Sequence, residues 1–379
     1  MTINTHLILV SAQPIPNITP ILDDSLRPQK VVMLVSAEMI DRSQALESIF
    51  KPRGIRVERC LIDNPWDAEH ISDKILDLLA LYPDGDIALN ATGGTKLMSI
   101  AAYEAFRSCQ LPIYYIHPEQ DQLLWLSPKQ PAQELADRLK LKDYLMAYGA
   151  EKVEIPDSTG VIEPIRQLTQ QIIADIDRYA PELGSLNYLA LNADNPRLSV
   201  EIDQGPQSKP QLWQLLELFE QAGLCRINGH TLTFFDEPAR FTANGGWLEM
   251  HTYAECLKLK KNLGIQDNAC NITITRQPAG KAIVKNEIDI GLIKANRLHI
   301  IECKTKSYRD FAQGADVLYK LDSLRDLMGG LQGRAMLVSF KALDKTSRAR
   351  AKELSITLCC QSELKNLQQH LQKWLGQNS

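Results

Sequence analysis

Short apolar runs alternate with amphipathic stretches through the first third of the chain. HLILV (6–10), KVVMLVS (30–36), GIRVERC (54–60), DIALN (86–90) and PIYYIH (112–117) have the length and β-branched content of buried strands. Residues 67–81 and 95–108 repeat their apolar positions at helical spacing. This alternation predicts a parallel sheet with helices on both faces, whose ligands lie beyond the carboxyl ends of the strands.

The pattern changes near residue 127. Residues 134–148 read as a helix, and the stretch after it carries Pro156, Pro164, Pro181, Pro196, Pro206 and Pro210 with weak periodicity. Within it PQLWQLLELFEQAGL has helical spacing, and CRINGHTLTFF reads as two strands around an Asn228-Gly229 turn. A helix followed by a wing-like hairpin is expected. Because the helix carries few basic residues, a packing role is favoured over DNA recognition. After Pro238, GGWLEMHTYAECLKLKKNLGI predicts a helix, with strands around NITITR, NEIDIGLIKANRLHIIECKT and AMLVSF.

A chain of 379 residues is too long for one ordinary core. The expected division is an N-terminal α/β domain at 1–130, a helical, winged-helix-like connector at 131–238, and a C-terminal domain at 239–379. With 44% hydrophobic and 23% charged residues the chain reads as folded. No apolar run approaches the roughly 20 residues of a membrane span, and LILV is short for a signal sequence, so a cytoplasmic location is expected. The eight cysteines include no C-x-x-C pair and read as reduced thiols. The net charge of -4 argues against a nucleic-acid partner, but residues 281–352 hold 15 Lys and Arg against 8 Asp and Glu. In that segment KALDKTSRARAK offers Lys341, Lys345, Arg348, Arg350 and Lys352 for backbone contacts that do not distinguish DNA from RNA.

The chemistry concentrates in NEIDIGLIKANRLHIIECKT, read as two strands joined by a turn near Lys294 to Arg297. Asp289 lies on the first strand. On the second, Glu302 and Lys304 project to one face and Cys303 to the other. Carboxylates gathered at a sheet edge repel unless a hard cation lies between them, and oxygen donors suit Mg2+ or Mn2+. Asp289, Glu302 and the Cys303 carbonyl form the expected metal set, Lys304 orients water or stabilises phosphate charge, and Glu249 on the preceding helix supports the centre. The ordinary alternative is a solvated Glu-Lys pair, but charges that follow LHII into a buried sheet are costly unless a ligand satisfies them.

In the N-terminal part DIALN runs into ATGGTKLMSIAAYEAF, which places Gly93 and Gly94 at a strand-to-helix turn where backbone amides favour an anion. The spacing matches neither a P-loop nor a G-x-G-x-x-G fingerprint. A glycine turn made for packing competes evenly with a ligand site. Ser11 and Gln13, and Ser36 and Glu38, stand at two other strand ends and add polar groups to the same crevice, although Ser36 also suits a helix cap.

Asp289, Glu302 and Lys304 occupy the motif positions of the PD-(D/E)xK nucleases, which the C-terminal part resembles. GGWLE, NEIDIG and IECKT together resemble the nuclease half of CRISPR ancillary effectors that join a CARF sensor to such a nuclease. No proline precedes Asp289, a position that varies in that superfamily. NATGGTK resembles the CARF signature and places Asn90, Thr92 and Lys96 in a ligand-binding role, with the ligand expected along Thr92 to Lys96, Thr95 included. The resemblance implies a Rossmann-like CARF domain and a restriction-endonuclease-like α/β domain. It also implies a cyclic oligoadenylate activator, commonly cyclic tetraadenylate, held across a homodimer. A ring of repeated phosphates suits a two-fold interface.

Three readings stand at this point. One is an activator-gated endonuclease acting on DNA or RNA. Another is a nucleotide-responsive transcription regulator using residues 210–235. The third is a nucleotide-metabolising enzyme whose N-terminal crevice has Glu38 as its general base.

Overall fold

A computed structural model describes residues 3–117, 119–156, 160–203, 205, 208–277, 282–305 and 311–376. Lys281, Lys306 and Arg309, three of the basic residues counted above, lie outside the described residues.

The N-terminal apolar runs become one sheet. Strands β1 (Thr5–Leu9), β2 (Lys30–Ser36), β3 (Arg56–Ile62), β4 (Ile87–Asn90) and β5 (Ile113–His117) are parallel in the order 3-2-1-4-5. Strands β6 (Gln122–Ser127) and β7 (Gln133–Glu134) extend it antiparallel. Helices Ile15–Leu22 and Ile40–Phe50 cover one face, while Ala68–Leu79 and Lys96–Ser108 cover the other, so β1 and the body of β2 are buried on both sides. Strand order reverses between β1 and β4, which opens a crevice at their carboxyl ends.

The helix expected over 134–148 is shorter. Gln133 and Glu134 pair with β6, and only Leu141–Ala147 is helical. Leu135 packs with Tyr114, Ile116 and Leu123, and Leu139 is fully buried in a second core, so burial of extended chain outweighs local helical preference.

The middle segment contributes β8 (Lys152–Glu154), the helices Glu163–Ala174 and Ile176–Asn192, and a small sheet of β9 (Ser199–Glu201), β10 (Cys225–Asn228) and β11 (Thr231–Phe234). Asn228 pairs with Thr231, so Gly229 and His230 make the turn, with Gly229 at φ +61°. The helix before this hairpin, Pro210–Gln221, has no Lys or Arg and buries Leu212, Leu215, Leu216 and Phe219. Its apolar face packs into the core shared with the last sheet.

The last sheet runs β16-β15-β14-β13-β12-β8, with β12 (Ile265–Arg276), β13 (Val284–Lys294), β14 (Arg297–Lys304), β15 (Arg334–Ser339) and β16 (Ile356–Cys360). Strands β12 to β14 are antiparallel and β14 to β16 parallel. Helices Trp247–Leu259 and Leu367–Gly376 cover one face. Leu141–Ala147 and Phe311–Gly329 cover the other, in a core continuous with Ile8, Val10 and Phe50 of the N-terminal sheet. The short helix is therefore a wedge between the two sheets. Among the described residues no helix is long and apolar enough to cross a membrane.

Candidate functional site

The hairpin β13–β14 positions the acidic centre. Ala295 and Asn296, both at positive φ, turn the chain, and the ladder runs from Lys294 and Arg297 to Ile290 and Ile301. Beyond that pair β14 continues along β15 as far as Lys304 and Ser339. In place of a further ladder bond, the Asp289 Oδ2 accepts the Cys303 backbone N–H at 2.7 Å. The two strands separate around the carboxylates.

A second irregularity lies next to Asp289. Ile288 belongs to one core and Ile290 to the other, and on β12 Ala269 and Ile272 share a core, so inward-outward alternation skips one residue on each strand. The skipped residue of β12 is Asn271, at φ +53°, lying across from Asp289 between the pairs Cys270–Ile290 and Ile272–Ile288.

The charges are crowded. Lys304 Nζ pairs with Glu302 Oε1. Burial and the neighbouring Glu302 push the Asp289 carboxyl up to about 7, and burial with Asp289 nearby pushes Glu249 up to about 8. Burial works against the Lys304 ammonium, but Glu302 and Asp289 outweigh it and hold it above the usual lysine range. Three carboxylates thus share one ammonium. Among the described residues no cluster of three His, Cys, Asp or Glu is arranged around a metal position. The Cys303 thiol is buried and donates to Thr252 Oγ1 at 3.7 Å, so only its carbonyl remains for a cation.

Glu249 stands one turn into the helix Trp247–Leu259, which follows a kinked turn at Thr242–Gly246. Gly245 has φ +114°, and a Cβ there would lie 2.1 Å from Thr305 Oγ1. Thr305 follows Lys304 directly, and the Asn187 carboxamide of the middle segment lies 3.4 Å from its hydroxyl, in an orientation whose nitrogen donates to Leu183 O and Ala243 O at 3.2 Å. The helix bearing Glu249 and the strand bearing Lys304 are locked through this contact. Sequence reading missed Asn187, Gly245 and Thr305, whose only mark was the glycine pair in GGWLE.

In the N-terminal domain Asn90 and Thr92 build the loop. Asn90 is fully buried, donates to Pro16 O and Asn17 Oδ1, and accepts from the Thr92 N–H and hydroxyl. Thr92 Oγ1 accepts from Ile116 N at 2.8 Å. A Cβ on Gly93 would lie 2.0 Å from Leu9 O, so this glycine is required for packing, while Gly94 takes φ +75°. Thr95 caps the helix that Lys96 begins, and Lys96 is exposed. Ser36 is buried and Glu38 is exposed on the following turn.

Ser11, Gln13 and Thr92 line one crevice of about 180 Å3. Its other wall comes from residues no sequence signal marked, including Tyr148 from the wedge and Asn296 and Arg297 from the β13–β14 turn. Gln13 Oε1 accepts from Tyr148 OH at 3.0 Å and from Leu331 N at 3.3 Å. Asn296 Nδ2 donates to Asp121 Oδ2 at 2.6 Å, and Arg297 donates to the Glu119 carbonyl. The crevice and the acidic centre therefore lie at opposite ends of one hairpin.

Comparison with known proteins agrees with this layout. The family model described as Card1 CARF domain matches residues 5–144, and that described as Card1-like, endonuclease domain, matches residues 236–377. Protein VC1899 from Vibrio cholerae is 34% identical with a TM-score of 0.92, over 98% of each chain. Can2 from Sulfobacillus thermosulfidooxidans, solved in complex with cyclic tetra-adenylate, is 25% identical with a TM-score of 0.82, over 98% of this chain and 99% of that one. A type III CRISPR defence DNA nuclease activated by cyclic oligoadenylate shares the fold at 19% identity and a TM-score of 0.57, over 90% of this chain and 46% of its own. Among curated proteins nothing matches. The chain belongs to the Card1 family, with a CARF domain at its N-terminus and an endonuclease domain at its C-terminus.

Proposed function

We propose that this protein is a divalent-metal-dependent endonuclease of type III CRISPR defence, switched on by cyclic tetraadenylate bound to its CARF domain. The observation that carries the reading is the excess of half-buried carboxylate over ammonium at Glu249, Asp289, Glu302 and Lys304. Such an excess is costly in isolation, and a divalent cation neutralises it. Asp289, Glu302 and the Cys303 carbonyl would hold Mg2+ or Mn2+, all hard oxygen donors. The ion lowers the pKa of a bound water and offsets phosphate charge. Lys304 then faces the scissile phosphate and stabilises its growing negative charge, while Glu249 takes up or relays a proton.

The ligand reading rests on the crevice at the strand-order reversal and on the helix N-terminus at Lys96. Related chains named for cyclic tetra-adenylate and cyclic oligoadenylate support it. A symmetric ring suits two copies of the same loop, so the active form is proposed as a homodimer with the activator across its axis. Binding shifts the population toward an arrangement in which the nuclease halves are competent. The substrate is nucleic acid, DNA or RNA, contacted through the helix Lys345–Glu353, on which Lys345 and Lys352 are exposed.

The test is cleavage of labelled single-stranded DNA, supercoiled plasmid and RNA, with and without cyclic tetraadenylate and Mn2+. Cleavage that needs both additions is expected. Full activity of Lys304→Ala overturns the reading.

A further inference from the structure

A second cavity opens beside the acidic centre, and its wall includes Glu249 itself. It holds about 380 Å3, within the span of small-molecule sites, about 300–1,000 Å3. Val161 and Ile162 just before the helix Glu163–Ala174, Phe241 before the kinked turn, and Met250 beside Glu249 supply an apolar surface. At its edge Ile162 is 62% exposed and Phe241 42% exposed. Large apolar side chains left in water next to a polar centre mark a surface that is covered in use.

The third wall carries Asn271, the residue that lies across from Asp289 and holds φ +53° within a strand. A non-glycine residue pays for that conformation, and such strain gathers where a side chain must be aimed. The carboxamide of Asn271 offers one donor and one acceptor together at the cavity edge.

We propose that this cavity takes an unpaired nucleobase of the substrate strand, the base flanking the phosphate held at the acidic centre. The inference rests on the endonuclease reading and adds to it a base-binding subsite. A nucleotide is anionic at its phosphate and flat, aromatic and uncharged at its base. The carboxylate-rich centre takes the first part only with a cation, and the apolar cavity beside it suits the second. Phe241 and Ile162 offer the base a stacking surface, and Asn271 reaches its edge. In a duplex the bases are turned inward and paired, so occupation requires a single strand or a locally opened one.

The test is binding of a single-stranded DNA oligomer carrying one 2-aminopurine to the full chain with cyclic tetraadenylate and Ca2+, a cation that occupies oxygen sites. A matched oligomer has an abasic residue in place of the analogue. The proposal expects a change in 2-aminopurine emission on binding and about tenfold weaker binding of the abasic strand. In Phe241→Ala and Ile162→Ala, both exposed enough to fold normally, the two strands bind within about twofold of each other. Equal binding of both strands by the unaltered protein overturns the pocket. So does an undiminished difference in both variants. Replacing Ca2+ with Mn2+ then reports cleavage of the same strand, so a failure of the endonuclease reading is seen separately from a failure of the pocket.

Discussion

The Asp289 carboxylate accepts the backbone N–H of Cys303 at 2.7 Å, so one side chain both ends the β13–β14 ladder and opens the space in which the centre forms. Asn at this position keeps an acceptor for Cys303 N and removes the charge. Asp289→Asn is expected to lower cleavage at least 100-fold while the metal-free protein melts at the same temperature or higher at pH 8, because a half-buried carboxylate crowded by Glu302 is no longer ionised there. Cleavage rates beside thermal melts in chelator check it. Loss of cleavage with a large drop in melting temperature would assign Asp289 a mainly structural part.

The same carboxylates set a pH dependence. Asp289 and Glu249 have folded-state pKa values of about 7 and about 8, above their ordinary values, so the folded state holds more protons than the unfolded chain between roughly pH 4 and 8. Their contribution is fully present below the unfolded values and is lost as pH rises through the folded ones. The melting temperature in chelator should fall from pH 5 to 8.5, and Mn2+ should restore more of it at pH 8.5 than at pH 5.5, since the cation binds the deprotonated groups. A chelated melting temperature that rises across this window would contradict the assignment.

Gly245 allows the helix of Glu249 to approach the strand of Lys304. Gly245→Ala places a Cβ 2.1 Å from Thr305 Oγ1 and adds strain at φ +114°. A destabilisation of about 2 kcal/mol or more is expected. Adding Thr305→Ala removes the 2.1 Å contact but leaves the residue-305 Cβ at 3.1 Å and the backbone strain, so the double variant should recover only part of the loss in a denaturant titration.

Much of the fold was legible because it follows local pattern. Apolar runs such as KVVMLVS are buried on both faces and read as parallel strands, and IIECK carries its charges visibly out of a buried strand. What failed was non-local. Leu135 and Leu139 are spaced as in a helix, yet they serve two different cores, which only the packed chain reveals. Asn271 is a residue type that tolerates the left-handed backbone, but nothing local requires it there, because the cause is the skip shared with β13. Nothing local to Gln13 marks that its carbonyl accepts from Tyr148 and Leu331, 135 and 318 positions away.

That bridge suggests how the two ends of the molecule communicate. Gln13 sits on the crevice wall, Tyr148 closes the wedge helix, and Leu331 follows the long helix packed under β14 and β15. A ligand that displaces the Gln13 carboxamide frees both Tyr148 OH and Leu331 N, and so alters contacts to the nuclease domain without touching its centre. Gln13→Ala and Tyr148→Phe remove the bridge while leaving the loop of Asn90 and Thr92 intact. Both variants should cleave in the presence of Mn2+ with a smaller ratio of activated to unactivated rate, by about fivefold, which corresponds to a coupling energy of ~1 kcal/mol. Lys96→Ala should act differently, weakening cyclic tetraadenylate binding by tenfold or more while restoring the full ratio at saturating ligand, because an exposed residue at a helix start contributes affinity rather than coupling. Calorimetric titration of the ligand beside rates at saturation separates the two effects, and an unchanged ratio in Tyr148→Phe would remove the bridge from the switch.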